Sequence, residues 1–482
     1  MMVLENLYPD RVFYYFEKLA VIPHGSGNTK EISDFLVQFA IEHQLIWRQD
    51  ACNNVIMIKE ATKGYEEAEP VILQGHMDMV CEKENDCEID FQKDGLRLYT
   101  DGDFVRAKGT TLGGDDGIAV AYMLALLEAE NLQHPRLEAI ITVDEEIGML
   151  GAKEMDLSEL KGHIMLNIDS DEEGIFTTGC AGGMSVHASI PVRRCTVKGL
   201  EVSVVVTGLS GGHSGSEIDK EHANADILMG RVLQGLSDRI SCGLLSLSGG
   251  QKDNAIPREC CAKLVVLKED LSLLRAYVKE LSAVLQKEYE VSDPAVEIVC
   301  EEGKSTETGV LDQDSMQKVI SYLRTVPNGV LHMSQQMDEI VETSLNLGIM
   351  ELREAEFITV TSIRSSVRSR KADVCERVTG LIRRLGGTCT IEGDYPAWEY
   401  RKDSPLQLQC AQVYEKLYKK KPVFTTIHAG LECGILSEKI PNLDCVSFGP
   451  DNYDIHTPKE RLSIASVGRI WDFIVAFLQQ AK

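Results

Sequence analysis

The stretch Leu73-Gln74-Gly75-His76-Met77-Asp78 constrains this chain more than any other. Val71–Leu73 reads as a short buried strand that runs out at Gly75, and a His and an Asp come next with one residue between them. In extended backbone, residues two apart point the same way, so His76 and Asp78 can stand side by side. A metal-binding imidazole gives its second ring N–H to a carboxylate or carbonyl, which fixes its tautomer and raises its basicity. The same pair can equally be a plain hydrogen bond at a strand end, so its weight comes from the other segments that end in acidic residues. Ala139–Val143 reads as another buried strand and ends in Asp144-Glu145-Glu146, and Ile164–Ile168 ends in Asp169. Ahead of both, Thr110-Thr111-Leu112-Gly113-Gly114-Asp115-Asp116-Gly117 opens a helix with Ile118, Tyr122 and Leu126 on its core face.

Strands alternating with helices predict an α/β fold, a mixed sheet flanked by helices. In such sheets ligands bind beyond the carboxyl ends of the strands, and His76, Asp115, Glu145, Glu146 and Asp169 all fall at such ends or in the loop leading into a helix. Helices are expected at 10–20, capped by Asp10, and at 28–43, where Asn28 and Glu31 suggest a capping box. Near residue 185 the texture changes: two loosely similar strand–helix halves predict an inserted α+β lid domain over 187–396. The first texture then resumes, with Ser404-Pro405 opening a helix, a strand at Val446–Phe448 leading to His456, and a closing helix from Ser463. The catalytic domain is therefore expected to be discontinuous, built from 1–186 and 397–482.

Length and charge bound the partners. A chain of 482 residues exceeds one ordinary core. With 49 Lys and Arg against 75 Asp and Glu, a net charge of −26 repels phosphate backbones, so no nucleic-acid partner is expected. No apolar run approaches the ~18 residues that span a bilayer and no basic–apolar leader opens the chain, so a cytoplasmic protein with no membrane partner is expected. Its 14 Cys are scattered without a Cys-x-x-Cys, as befits reduced thiols. His24, His43, His134, His163, His187, His222 and His332 show no partner pattern and are expected in surface or loop positions.

Two imidazoles and several carboxylates without clustered Cys suit a catalytic site for Zn²⁺, with Co²⁺ or Mn²⁺ as alternatives. So many carboxylates point to two divalent ions per chain, about 3.5–4 Å apart and bridged by one carboxylate. In their joint order, His76-x-Asp78, Gly113-Gly114-Asp115-Asp116-Gly117, Glu145-Glu146-x-Gly148, Asn167-Ile168-Asp169, Gly-Gly-His213-Ser-Gly and His456-Thr-Pro resemble the two-zinc family of aminoacylases, carboxypeptidases and dipeptidases. Gly179-Cys180-Ala181-Gly182-Gly183, Asn254-Ala255-Ile256-Pro257-Arg258 and His428-Ala429-Gly430-Leu431-Glu432-Cys433-Gly434 resemble its aminoacyl-histidine (Xaa-His) dipeptidase subgroup. The resemblance covers essentially the whole chain. One departure is Gly117 directly after Asp116, where many relatives carry a Lys.

The resemblance implies that His76, Glu146, Asp169 and His456 bind metal, that Asp115 bridges the ions, that Asp78 orients His76, that Glu145 is the general base, and that the Asp115-Asp116 peptide is cis. It implies hydrolysis of Xaa-His and related dipeptides by metal-activated water. His213 is the candidate oxyanion donor, against a local hydrogen bond in a glycine-rich turn. Arg364 is the candidate clamp for the substrate carboxylate, against a plain surface role, with Asn254 and the backbone at Gly430 assisting. His428 and Glu432 are expected to line the site. Two other functions stay open: an N-acyl-amino-acid or other amide hydrolase on the same site, and a binding protein with a degenerate site. A homodimer also stays open, since His213 could act within one chain or across two.

Overall fold

Four strands lie side by side and parallel, in the order Leu137–Thr142, Val71–His76, Ile164–Asn167 and Asp444–Ser447. Parallel strands covered on both faces read as continuous apolar runs, and Val71–His76 and Leu137–Thr142 are buried along their whole length. Ile46–Gln49 and Val55–Lys59 extend this sheet antiparallel on one side, and Ile175–Cys180 and Val423–Ile427 continue it on the other. The structure, a computed structural model, describes residues 2–481. Its first unit takes in the chain up to Cys180, Tyr400–Thr426, and the chain from Leu431 onwards.

Helix Gly114–Glu128 connects Val71–His76 to Leu137–Thr142, and Gly117 to Leu127 are buried on every side. A helix apolar all round must be enclosed, and Asp10–Ala20 packs against it, with the Phe16 ring over Gly117. The closing helix Ile464–Gln480 is capped by the Ser463 hydroxyl, which accepts from the Ser466 N–H, and Ser404 caps Pro405–Tyr418 in the same way through Gln407. Two expected caps do not form. Asp10 is the first helical residue after Pro9, and the residue that precedes Lys30–Glu42 is Thr29, which makes no side-chain cap bond, while the Asn28 N–H donates to the Gly25 carbonyl. Fold class is mixed α/β, with sheets flanked by helices.

The second unit holds Ala181–Glu399 with Ile427–Gly430. Its long sheet runs in the order Glu297–Leu311, Arg194–Thr207, Cys260–Val266, Cys242–Gly249, Val341–Leu352, Glu356–Ser365, Gly182–Pro191 and Thr388–Tyr395. Among the described residues, the two halves of this sheet pair only where Ser248 and Gly249 meet Glu351 and Met350. The unit begins ahead of 187 because Gly182 already pairs with Ser365, and it runs past 396 to Glu399. Among the described residues no helix is long and apolar enough to cross a membrane, and the 14 cysteines are free thiols.

Asp226 lies in the core of the second unit, fully buried, with neither carboxylate oxygen hydrogen-bonded. It opens helix Ala225–Ser237, where the Asn224 side chain already accepts the N–H groups of Asp226 and Ile227. A Cβ on Gly249 would lie 1.8 Å from Asp226 Oδ1, so the carboxyl is pressed against backbone. Burial pushes its pKa up to about 8, with the neighbouring Cys260 thiol pulling weakly the other way. An unfolded Asp titrates near 3.9. Between those values the native chain holds a proton that the unfolded chain has released, so stability is highest at low pH and is lost as pH rises through the native value. Asp226→Asn should therefore flatten the pH dependence of urea unfolding between about pH 5 and about pH 8 and leave the variant the more stable protein at the upper end. An unchanged slope would show that Asp226 is ionised in the native state.

Candidate metal centre

The carboxyl ends of the parallel strands deliver the candidate side chains to one edge of the first unit. His76 is the last residue of its strand and Asp169 lies just beyond Asn167. Glu145 and Glu146 follow Thr142 through Asp144, whose positive φ of 55° breaks the strand alternation, so neighbouring glutamates need not face opposite ways. Asp115 enters from the start of Gly114–Glu128, where Asp115 and Asp116 are non-helical and joined by a cis peptide. His456 arrives from the far end of the sequence.

There the side chains converge. His76 Nε2 is 3.0 Å from Asp115 Oδ1 and 3.9 Å from Asp169 Oδ1. His456 Nε2 is 3.1 Å from Asp115 Oδ2 and 3.0 Å from Glu146 Oε1. Asp115 thus touches both imidazoles, one with each oxygen. Two triads bring their donor atoms within 4.8 Å of one another: His76, Asp115 and Glu146, and His76, Asp116 and Asp169. Asp116 already accepts the His76 backbone N–H at 3.2 Å.

Supporting contacts fix these groups. The His76 Nδ1 hydrogen bond goes to the Asp78 carbonyl at 2.9 Å, nearer than the Asp78 carboxylate at 3.5 Å. That carboxylate instead accepts from the Ser26 hydroxyl at 2.8 Å and the Glu145 N–H at 3.1 Å, so Asp78 holds the backbone of Glu145 as well as the His76 ring. Glu432 is fully buried; its Oε2 accepts from Gln74 Nε2 and Thr142 Oγ1, each at 2.6 Å. Gln74 Oε1 in turn accepts from Asn167. Glu432 thereby ties together the three strands that end in His76, Glu145 and Asp169. The sequence reading missed Ser26, Gln74, Thr142, Asn167 and the buried Glu460. Gln74, Thr142 and Asn167 carried a signal all the same, as polar residues within two or three positions of the end of an apolar strand. His24 and His134 lie in loops, one of the two settings expected for them, and are buried there; the Nδ1 atom of each faces a backbone carbonyl, of Ile22 and Pro135 respectively.

The electrostatics call for positive charge. A carbonyl can only accept, so His76 Nδ1 carries a proton, and a neutral ring then presents a bare Nε2 lone pair to a carboxylate oxygen at 3.0 Å. Two lone pairs hold that distance only with a cation or a second proton between them. Burial pushes Asp169 up to about 7 and Glu432 up to about 7, and raises Glu145 and Asp116 well above the carboxylate range. Hydrogen bonds to Asp115 and Glu146 push His456 up to about 10. Carboxylates and imidazoles crowded this closely are a donor set that fits divalent cations.

The remaining candidates lie in the second unit. Gly212–His213 pairs with Ala255–Ile256, and the Ser214 N–H donates to the Asn254 carbonyl at 2.9 Å, so one small ribbon carries both His213 and Asn254. His213 Nδ1 accepts from the N–H groups of Gly215 and Ser216, which puts the proton of the neutral ring on Nε2. Burial, aided by the charge of Arg364, lowers its pKa. Arg364 pairs with Ser344 across the sheet, gives Nη1 to the Tyr395 hydroxyl at 3.1 Å, and leaves its buried Nε without a partner. His428 Nε2 meets Ser344 Oγ at 2.7 Å, and burial together with Arg364 pushes its pKa down to about 3. Gly430 ends the short segment that carries His428.

A sequence profile for Peptidase family M20/M25/M40 matches residues 72–480. The chain belongs to that family. This peptidase-family chain is 35% identical over 482 residues to the cytosol non-specific dipeptidase of Escherichia coli K12, spanning 100% of this chain and 99% of the relative. The crystal structure of aminoacylhistidine dipeptidase from Vibrio alginolyticus matches it with a TM-score of 0.90 at 36% identity, over 99% of this chain and 97% of that one. A tripeptidase from Staphylococcus aureus matches with a TM-score of 0.57 at 16% identity over 98% and 99% of the two chains, a likeness of fold.

A ligand that binds only the native state stabilises it by RT ln(1 + [L]/Kd), about 2.7 kcal/mol at a hundredfold excess over Kd. Zinc should therefore raise the melting temperature of the chelator-stripped peptidase, and elemental analysis should approach two ions per chain. A melting curve that zinc leaves in place would show that these side chains hold no cation.

Proposed function

We propose that this protein is a metal-dependent dipeptidase. The observation that carries the reading is the convergence of His76, Asp115, Glu146, Asp169 and His456 at the strand ends of a peptidase-family chain. His76, Glu146, Asp169 and His456 would hold two divalent ions with Asp115 between them, zinc first and cobalt or manganese as alternatives. When bound, such ions supply a Lewis acid for the scissile carbonyl and make a water acidic enough to ionise near neutral pH.

The chain's own groups do the rest. Glu145 takes the proton of the attacking water and returns it to the leaving amine; burial raises its pKa and so strengthens it as a base. Asp78 holds the Glu145 backbone and the His76 ring in register. His213, neutral and protonated on Nε2, is suited to donate to the oxyanion of the tetrahedral species. Arg364 has a buried, unpaired Nε to offer a C-terminal carboxylate, with Asn254 and the Gly430 backbone assisting and His428 lining the site. The substrates in this reading are dipeptides, Xaa-His among them, because the two full-length relatives are named for non-specific and aminoacylhistidine dipeptide hydrolysis. The cytosol of the Escherichia coli relative's name is the proposed compartment.

Two identical side chains in sequence are given opposite roles, which makes the reading testable. Glu145→Gln keeps size but cannot accept the proton, so both ions should stay bound while kcat falls at least the roughly 10²–10⁴-fold typical of a lost general base. Glu146→Ala should lose affinity for one ion and recover part of its activity with added zinc. If Glu145→Gln loses an ion and Glu146→Ala does not, the roles are exchanged; if turnover survives both, the reaction is carried out elsewhere.

Arg364→Ala should raise KM for free dipeptides far more than for their C-terminally amidated analogues, since only the former present a carboxylate. Equal loss on both would remove Arg364 from substrate recognition.

A further inference from the structure

One carboxylate joins the two ends of the chain at the candidate metal centre. Glu460 is 3% exposed and lies four residues after His456. Its Oε2 accepts the N–H groups of Leu112 at 2.6 Å and Gly113 at 3.2 Å, and its Oε1 accepts that of Gly114 at 2.9 Å. The Asn452 side chain donates to the same Oε1 at 3.2 Å. Three successive N–H groups converge because Gly113 has φ of 67°, which bends the backbone into a concave, anion-holding turn. The next residue is Asp115.

Glu460 and Asn452 form the stem of a hairpin whose tip carries His456. Asn452–Tyr453 pairs with Arg461–Ser463, which in turn pairs with Phe104–Ala107. Asp454 and His456 sit at the tip with positive φ, and Asp454 is ion-paired to Arg461. The stem thus grips the turn that delivers Asp115, while the tip sets His456 Nε2 at 3.1 Å from Asp115 Oδ2. Gly114 leaves room for the grip: a Cβ there would lie 2.8 Å from Asn452 Nδ2 and 3.1 Å from Glu460 Oε1.

We propose that Glu460 is a positioning residue for the metal centre: by binding the N–H groups of Leu112, Gly113 and Gly114 it fixes Asp115 opposite His456 and sets the geometry in which the two share a cation. The proposal rests on the reading of Asp115 and His456 as cation ligands. A charged acceptor for three N–H groups makes stronger bonds than a neutral amide can, so Glu460→Gln keeps the volume but loosens the grip, turning one acceptor into a donor that faces an N–H.

The test titrates Co²⁺ into metal-free wild type, Glu460→Gln and Asp115→Asn, following heat and visible absorption, with melting temperatures taken without metal and with kcat and KM on one dipeptide. Partners behind metal ligands typically cost 10–100-fold in metal affinity when changed. Glu460→Gln should lose cobalt affinity in that range, shift the visible band and lower kcat, while KM stays near wild type. Wild-type affinity and an unchanged band in Glu460→Gln, with Asp115→Asn impaired, overturn the positioning role alone. Wild-type binding by Asp115→Asn overturns the ligand reading itself. If Glu460→Gln does not fold, Asn452→Ala decides: it removes one donor from Glu460, and a smaller loss of cobalt affinity supports the proposal, whereas none overturns it.

Discussion

Crowded negative charge at one sheet edge is the constraint on which the first unit depends. Asp115, Asp116, Glu145, Glu146, Asp169 and Glu432 are gathered around two imidazoles, and the hydrogen bonds of His76 leave lone pairs facing one another unless positive charge intervenes. Burying ionised carboxylates is costly unless they are paired or coordinate a metal. The fold meets that cost by aligning the carboxyl ends of Leu137–Thr142, Val71–His76 and Ile164–Asn167 and by fastening them beneath with Glu432, Gln74, Thr142 and Asn167. Rigid strands hold the cluster, and the polar bonds that fasten them lie out of water, where each is worth more.

The same logic recurs around the edge of the cluster. Asp78 serves His76, Ser26 and the Glu145 backbone at once, and Glu460 serves three N–H groups of the turn before Asp115. Each is a buried carboxyl group that acts on the site through its neighbours. In the second unit, backbone N–H groups do for His213 what the Asp78 carbonyl does for His76: they fix which ring nitrogen carries the proton, with opposite result. His76 is left with Nε2 as an acceptor, fit for a cation, and His213 with Nε2 as a donor, fit for a developing negative charge.

The legible part of the sequence was the part governed by local periodicity. Apolar runs ending in His76, Glu145 and Asp169 predicted the central strands because a strand buried on both faces leaves an unbroken apolar run. The Ser404-Pro405 pair predicted Pro405–Tyr418 together with its cap, and the closing helix expected from Ser463 is Ile464–Gln480, with Ser463 as the cap just ahead of it. The motif order carried the family, since no single motif would have done so. Where a short-range rule met a competing partner it failed: Asn28 spends its N–H on a turn closed by the Gly25 carbonyl.

What the sequence determined by itself, then, is which segments become strands and helices and that several end in metal-binding residue types, because burial of apolar side chains acts at the scale of one element. Only the tertiary structure decided which of those ends meet. Asp115 and His456 are separated by 341 positions yet sit 3.1 Å apart, and Glu460 reaches backbone N–H groups that no side-chain pattern advertises. Hydrogen bonds to backbone leave no trace in the identity of the donor residue, so their partners become visible only once the chain is folded.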